Sequence, residues 1–176
     1  MRTWIEIRQE RHTLGNDDRD DWSYGSALWS PTTNKAGSKI YELMKEPIVG
    51  DRVLHFYETG GVRYYHAYSK IIESNKISYE VPTDPGSWSW AKEFYRIGID
   101  EFKLIKNPID INHFTEIHDT PLRQEILEDG PENYPFQIKR YKDPKWKKDS
   151  QVTLKQGKYL QECTNKLFTL LQECSE

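Results

Sequence analysis

The chain has 176 residues, enough for one globular domain with a substantial core, whereas two full domains would be cramped. Its 25 Lys and Arg against 28 Asp and Glu give a net charge of -3, which excludes a protein that coats nucleic acid without selectivity. Two cysteines exclude a disulfide framework or a zinc-ligand set. The start has no signal-peptide core and no apolar run approaches the roughly 18 residues of a membrane span, so we expect a cytoplasmic protein with no membrane partner.

The N-terminal part of the chain is predicted to form short strands. Alternating or compact apolar runs bounded by turn residues place these strands at residues 3–8, 26–29, 52–58 and 62–72. Thr59-Gly60-Gly61 predicts a hairpin turn between the last two strands. Ser38 is predicted to cap a short helix that ends at Pro47.

The C-terminal part is predicted to be mainly helical. Residues 100–106 alternate like one more strand, and a helix runs from about Thr120 to Gly130. Apolar residues at helical spacing then predict an amphipathic helix over 157–174. We predict one domain over 1–176, with its core in 1–138 and a basic linker over 139–156. The fold class is α+β, with a mostly antiparallel, barrel-like sheet flanked by helices.

Motifs of the common enzyme classes are missing from the sequence. No nucleophile elbow, P-loop, dinucleotide fingerprint or HExxH pair is present. His113, Glu116 and His118 are close in sequence, but positions i and i+5 point apart on a helix. We therefore predict a binding module with no catalytic residue, metal or cofactor. A small hydrolase or nuclease that uses scattered carboxylates is the alternative from another class.

Two tryptophan-rich segments flank the predicted hairpin. The first is Leu28-Trp29-Ser30-Pro31 with the Asn34-Lys35-Ala36-Gly37 loop, and the second is Gly86-Ser87-Trp88-Ser89-Trp90. Together with Gly50 to His55 they resemble the EVE and YTH domains of the PUA-like superfamily. The likeness covers about residues 20–110, and is stronger to the N-terminal domains of McrB-like and EVE-HNH modification-dependent restriction proteins.

The resemblance implies an aromatic cage for a modified base. Trp29 would supply one wall, and Trp88 or Trp90 the other. Ser30, Tyr24 and Tyr65 are the candidate polar groups of the cage. Any single aromatic residue also has a simpler interpretation, which is packing in the core.

Basic residues near the cage are the candidates for contacts to the nucleic-acid backbone. Five lie in or beside the loops concerned, and two more belong to a basic segment at 139–148: Lys35, Lys39, Arg63, Lys92, Arg96, Lys145 and Lys147. The alternative for that segment is a basic linker.

The leading functional hypothesis is a reader of modified double-stranded DNA. The resemblance implies that a methylated or hydroxymethylated base is flipped into the cage, while a nuclease or AAA+ motor on the same or a partner chain acts on the DNA. The alternatives are a reader of N6-methyladenine in RNA and a module that binds protein through its aromatic surface.

Overall fold

A computed structural model of the protein describes residues 1–9, 22, 25–82, 85–140, 150–155 and 158–175. Within these residues the chain forms eight strands and three α-helices. In chain order they are β1 (Thr3–Gln9), β2 (Ala27–Pro31), β3 (Arg52–Thr59), β4 (Val62–Ser78), β5 (Phe94–Asp110), α1 (Ile111–Ile117), α2 (Asp119–Asp129), β6 (Phe136–Arg140), β7 (Ser150–Leu154), β8 (Leu160–Cys163) and α3 (Asn165–Glu173). None of the described helices is both long and apolar enough to cross a membrane.

Six strands form one sheet in the order β2-β5-β4-β3-β1-β8, and β6 pairs with β7 in a separate two-stranded sheet. Only β1 and β3 run parallel among the described neighbours. The long pair of β4 and β5 has four register shifts, which bend and twist strands of 17 residues each. The mostly antiparallel α+β prediction is confirmed.

The large sheet is not closed into a barrel, which corrects the barrel-like expectation. In a closed barrel, backbone hydrogen bonds would join the edge strand β2 to the strands at the other end of the sheet. Here side chains make that connection instead. The guanidinium of Arg8 donates to the carbonyl of Ala27 at 2.6 Å. The hydroxyl of Tyr159 accepts from the backbone N–H of Trp29 at 3.2 Å.

The strand β1 is buried on both faces. Ile5 packs with Leu54 in a core cluster that also contains residues of α1, α2 and α3. Trp4 packs with Val53 in a second cluster. Glu6 lies on the same face of β1 as Trp4 and is also fully buried.

Three sequence predictions differ from the structure. The segment after Ser38 forms only a 3₁₀ turn at Glu42–Lys45, and the residue at its N-cap position is Tyr41, which makes no capping hydrogen bond with its side chain. The predicted helix over 157–174 is shorter, since Leu160–Cys163 forms β8 against β1 and α3 begins at Asn165. The predicted linker over 139–156 includes strand β7, which pairs with β6.

Candidate nucleic-acid interface

An aromatic cluster lies beside the edge strand β2. Trp29 is 5% exposed, and its ring meets the rings of Trp88 at 5.4 Å and Phe94 at 6.0 Å between centroids, each edge to face. Trp22 contacts both Trp29 and Phe94 at 6.1 Å, and Trp90 packs against the same cluster. The indole N–H of Trp29 donates to the carbonyl of Trp22 at 2.9 Å. Trp29 is therefore a core residue of this cluster, with its polar atom satisfied.

A cleft of about 380 Å³ opens on the outer side of this cluster, and we call it the aromatic cleft. Three rings and two loops line it: Asn34, Lys35, Ala36, Tyr41, Ser87, Trp88 and Trp90. The rings of Tyr41 and Trp88 are 5.8 Å apart and nearly perpendicular. The cleft thus combines aromatic surface with one cationic side chain and a few hydrogen-bonding groups. Its volume is at the small end of ligand pockets.

Local hydrogen bonds shape both loops of the aromatic cleft. The side-chain oxygen of Asn34 accepts from the backbone N–H groups of Ala36 at 3.0 Å and Ser38 at 2.8 Å. Gly37 completes this tight loop with a φ of 81°, which favours glycine. In the loop on the other side of the cleft, Trp88 is the last residue of a 3₁₀ turn at Gly86–Trp88. The backbone N–H of Trp88 donates to the carbonyl of Pro85 at 2.9 Å. The loops therefore present Lys35 and Trp88 from defined backbone.

A buried ionic network supports the cluster from behind. Glu6 is fully buried and accepts hydrogen bonds from Arg8, from His55 Nδ1 at 2.5 Å and from the hydroxyl of Tyr159 at 2.5 Å. Burial alone would raise the pKa of Glu6, but Arg8, His55 and Tyr159 together lower it to about 2. The ring of Tyr159 also contacts that of Trp88 at 5.5 Å. Tyr159 therefore connects the ionised network to a wall of the aromatic cleft.

The structure brings only part of the predicted cage together. Both Trp88 and Trp90 line the aromatic cleft, whereas Trp29 lies beneath them. Ser30 is buried, and its hydroxyl donates to the carbonyl of Pro31 at 3.2 Å. Tyr65 belongs to the separate cluster under the helices, where burial raises its pKa to about 12. Tyr24 lies outside the described residues.

The predicted backbone-binding residues are spread over several surfaces. Lys35 lines the aromatic cleft, while Lys39 and Lys92 are exposed on nearby loops. Arg96 lies over the ring of Trp22 at 5.7 Å and pairs with Glu73 at 3.2 Å. Arg63 is at the other end of β4, paired with Glu58 at 2.8 Å. The two remaining candidates lie outside the described residues: Lys145 and Lys147.

Sequence reasoning missed Tyr41 and Tyr159. Tyr41 sits in the segment predicted to be a helix, and Tyr159 in the segment predicted as the start of another. Neither position carries a local signal, because each meets Trp88 only through the fold. Within the ranges given above, no three His, Cys, Asp or Glu side chains lie together in a way that could hold a metal ion.

The open six-stranded sheet with its flanking helices is a fold shared with several solved proteins, in agreement with the fold that the sequence resemblance implies. Human THYN1, solved in complex with 5-methylcytosine-containing DNA, matches with a TM-score of 0.56 at 13% identity, over 100% of this chain and 98% of that chain. A Leishmania major protein matches with a TM-score of 0.57 at 7% identity, over 99% and 94%. A Rhodopseudomonas palustris protein matches with a TM-score of 0.52 at 15% identity, over 99% and 93%. Identities this low show a shared fold alone. No family model and no curated protein matches the sequence.

Proposed function

We propose that this chain binds double-stranded DNA carrying a methylated or hydroxymethylated base and holds that base, flipped out of the duplex, in the aromatic cleft. The observation that carries the proposal is the cleft itself, an open depression lined by the rings of Tyr41, Trp88 and Trp90 together with Lys35. The shared fold with a protein solved on 5-methylcytosine-containing DNA supports the choice of ligand.

The energies of base flipping agree with a site of this kind. Extruding a base costs a few kcal/mol, and stacking on an aromatic side chain returns about 1–3 kcal/mol per base. Stacking on a ring of the cleft can therefore offset much of the cost of extrusion. Burying a methyl group adds only about 0.8 kcal/mol, or roughly fourfold in affinity. Stronger selectivity must come from hydrogen bonds to the edge of the base, and our candidates for them are the side-chain amide N–H of Asn34 and the hydroxyl of Ser87, which line the cleft.

Binding to a panel of matched duplexes tests the proposal. The duplexes share one sequence and carry no modification, methylcytosine, hydroxymethylcytosine or methyladenine, and all are measured at one salt concentration because phosphate contacts depend on salt. We expect a preference of about tenfold for one modification, which corresponds to about 1.4 kcal/mol. Equal affinity for all four duplexes would contradict base reading. Tighter binding to methyladenine RNA of the same sequence would move the function to RNA.

The variant Trp90→Ala assigns the preference to the aromatic cleft. Trp90 is partly buried, so its loss removes stacking surface with less damage than the loss of the core residue Trp29, for which we expect about 3–5 kcal/mol of destabilisation. We expect Trp90→Ala to weaken binding of the preferred duplex by about 1–3 kcal/mol, or roughly 5- to 150-fold. Tyr79→Ala is the matched control, because Tyr79 is 74% exposed and outside the cleft. An unchanged preference in Trp90→Ala would overturn the assignment.

We extend the proposal to a restriction role, in which a nuclease or AAA+ motor on the same or a partner chain acts on the selected DNA. The support is the sequence resemblance to McrB-like and EVE-HNH domains. Restriction of phage DNA carrying the preferred base, in cells that express the native locus with and without Trp90→Ala, tests this role. Equal plating of phage with modified and unmodified DNA would contradict it.

A further inference from the structure

A second, larger groove lies apart from the aromatic cleft. Its volume is about 1410 Å³, and it runs between the hairpin of β6 and β7, the helices α1 and α2, and the turn joining β3 to β4. We call it the basic groove after the five cationic side chains that line it: Arg63, Lys139, Arg140, Lys155 and Lys158. Nothing in the proposed reading of a base uses this surface.

The hairpin of β6 and β7 has two chemically different faces. Phe136, Val152 and Leu154 are buried in the core cluster under the helices. The opposite face pairs Gln137 with Thr153 and Lys139 with Gln151 across the two strands, and these side chains line the basic groove. Alternation along the strands therefore turns a row of amide, hydroxyl and ammonium groups toward the groove. Such groups suit the oxygens of a sugar-phosphate backbone, which make most protein–DNA hydrogen bonds.

The local charge of the basic groove is opposite to that of the whole chain. The chain as a whole has a net charge of -3. The groove is lined by five basic side chains and by only three acidic ones, which are Glu58, Glu116 and Glu132. Arg63 pairs with Glu58 at 2.8 Å. Lys155 donates to the backbone carbonyl of Glu132 at 3.0 Å. Arg140 and Lys158 are exposed. The groove therefore offers positive charge to an anionic ligand.

The basic groove and the aromatic cleft lie near opposite ends of the same strand. Arg63 is at the start of β4, while Ser78 at its end pairs with Phe94 of the aromatic cluster. The strand from Arg63 to Ser78 advances by 15 residue steps, which span at most about 50 Å and less where the strand bends. No residue lines both the groove and the cleft, so the two are separate sites.

We propose that the basic groove binds the phosphate backbone of a nucleic acid, as a contact that adds affinity independently of base modification. The inference rests on the proposed function only in that the ligand is a nucleic acid. It predicts that the groove and the cleft control different quantities. The groove sets the salt dependence of binding to any sequence, and the cleft sets the preference for a modified base.

The double variant Lys139→Gln/Arg140→Gln tests the proposal in the 176-residue chain. Affinity for the unmodified and the preferred duplex is measured over a series of KCl concentrations. We expect the double variant to bind both duplexes more weakly by the same factor, and the slope of log affinity against log salt to become shallower by about 2. The matched control is Lys103→Gln/Lys106→Gln, which removes the same charge from exposed positions on β5 outside the groove.

The outcomes separate this proposal from the proposed function. A groove variant that matches the control in affinity and slope overturns the groove proposal, even where the preference for a modified base is intact. A wild-type chain with no such preference, whose salt slope still falls in the groove variant, supports the groove and contradicts base reading. Binding of wild-type chain to anionic lipid vesicles without binding to any duplex overturns the groove proposal in favour of a membrane surface.

Discussion

Glu6 is a fully buried carboxylate whose hydrogen bonds join distant parts of the chain. Arg8 and His55 donate to it from β1 and β3, and Tyr159 donates from the segment before β8. A buried charge is costly unless it is paired and fully hydrogen-bonded, so each partner depends on the others. The network therefore stabilises the fold and the back of the aromatic cleft together.

We predict that Glu6→Gln destabilises the protein by about 3–5 kcal/mol, because it leaves the buried cation of Arg8 without its carboxylate partner. Urea unfolding followed by tryptophan fluorescence measures the change. Glu162→Gln on the adjacent strand is the control, since Glu162 is exposed and pairs with Arg2 only at 3.7 Å. We expect that control to cost no more than about 1 kcal/mol. Equal losses in the two variants would contradict a special role for Glu6.

Thr164, the N-cap residue of α3, connects two helices of the C-terminal part. Its hydroxyl oxygen accepts from the backbone N–H of Leu167 at 3.1 Å and donates to Glu125 of α2 at 2.7 Å. Glu125 is buried and also accepts from the hydroxyl of Tyr134 at 3.0 Å. One side chain thus caps α3 and fixes it to α2.

We predict that Thr164→Ala lowers the free energy of unfolding by about 1–2 kcal/mol, because the cap and a hydrogen bond to a buried carboxylate are lost together. Thr164→Ser keeps the hydroxyl, and we expect it to change stability by less than about 0.5 kcal/mol. Denaturant titration of both variants checks the difference. A serine variant as unstable as the alanine variant would assign the effect to the lost methyl group.

Local sequence predicted those elements whose pattern is complete within the element. The hairpin of β3 and β4 and the helix α2 with its closing Gly130 follow from turn and cap residues. The strand β8 was missed because Leu160 and Cys163 also fit a helical repeat, and only pairing with β1 decides between the two. Pairing between two strands that lie this far apart in the sequence leaves no local pattern by which it could be predicted.

The residues of the candidate site were likewise predictable only where the local sequence marks them. Trp88 and Trp90 stood out by composition, and both line the aromatic cleft. The position of Trp29 in the core was not predictable, because a tryptophan on a strand has the same local pattern whether it lines a pocket or fills the interior. Glu6 was missed since its alternation with Ile5 predicts an exposed face, and the partners that surround it in the interior, His55 and Tyr159, are distant in sequence.

Two buried groups, His66 and Glu6, make the free energy of unfolding of the whole molecule fall in acid over two successive pH ranges. Burial, aided by the neighbouring His55, lowers the pKa of His66 from 6.5 to about 4. The unfolded chain therefore binds this proton first, and stability falls as the pH drops from 6.5 to 4. Glu6 has its pKa lowered from 4.5 to about 2, so its contribution is complete above pH 4.5 and is lost as the pH drops toward 2.

Replacing His66 should remove the first step and leave the second. In His66→Asn the amide can donate to the carbonyl of His55, which lies 3.0 Å from Nδ1 of His66, and the side chain no longer titrates. We expect the free energy of unfolding, measured by urea titration at successive pH values, to fall less steeply between pH 6.5 and 4 than in the wild type. Below pH 4 the two profiles should run parallel, because Glu6 is unchanged. His113→Asn is the control, since His113 is exposed on α1. A variant profile that follows the wild type from pH 6.5 to 4 would show that another group binds the proton in that range.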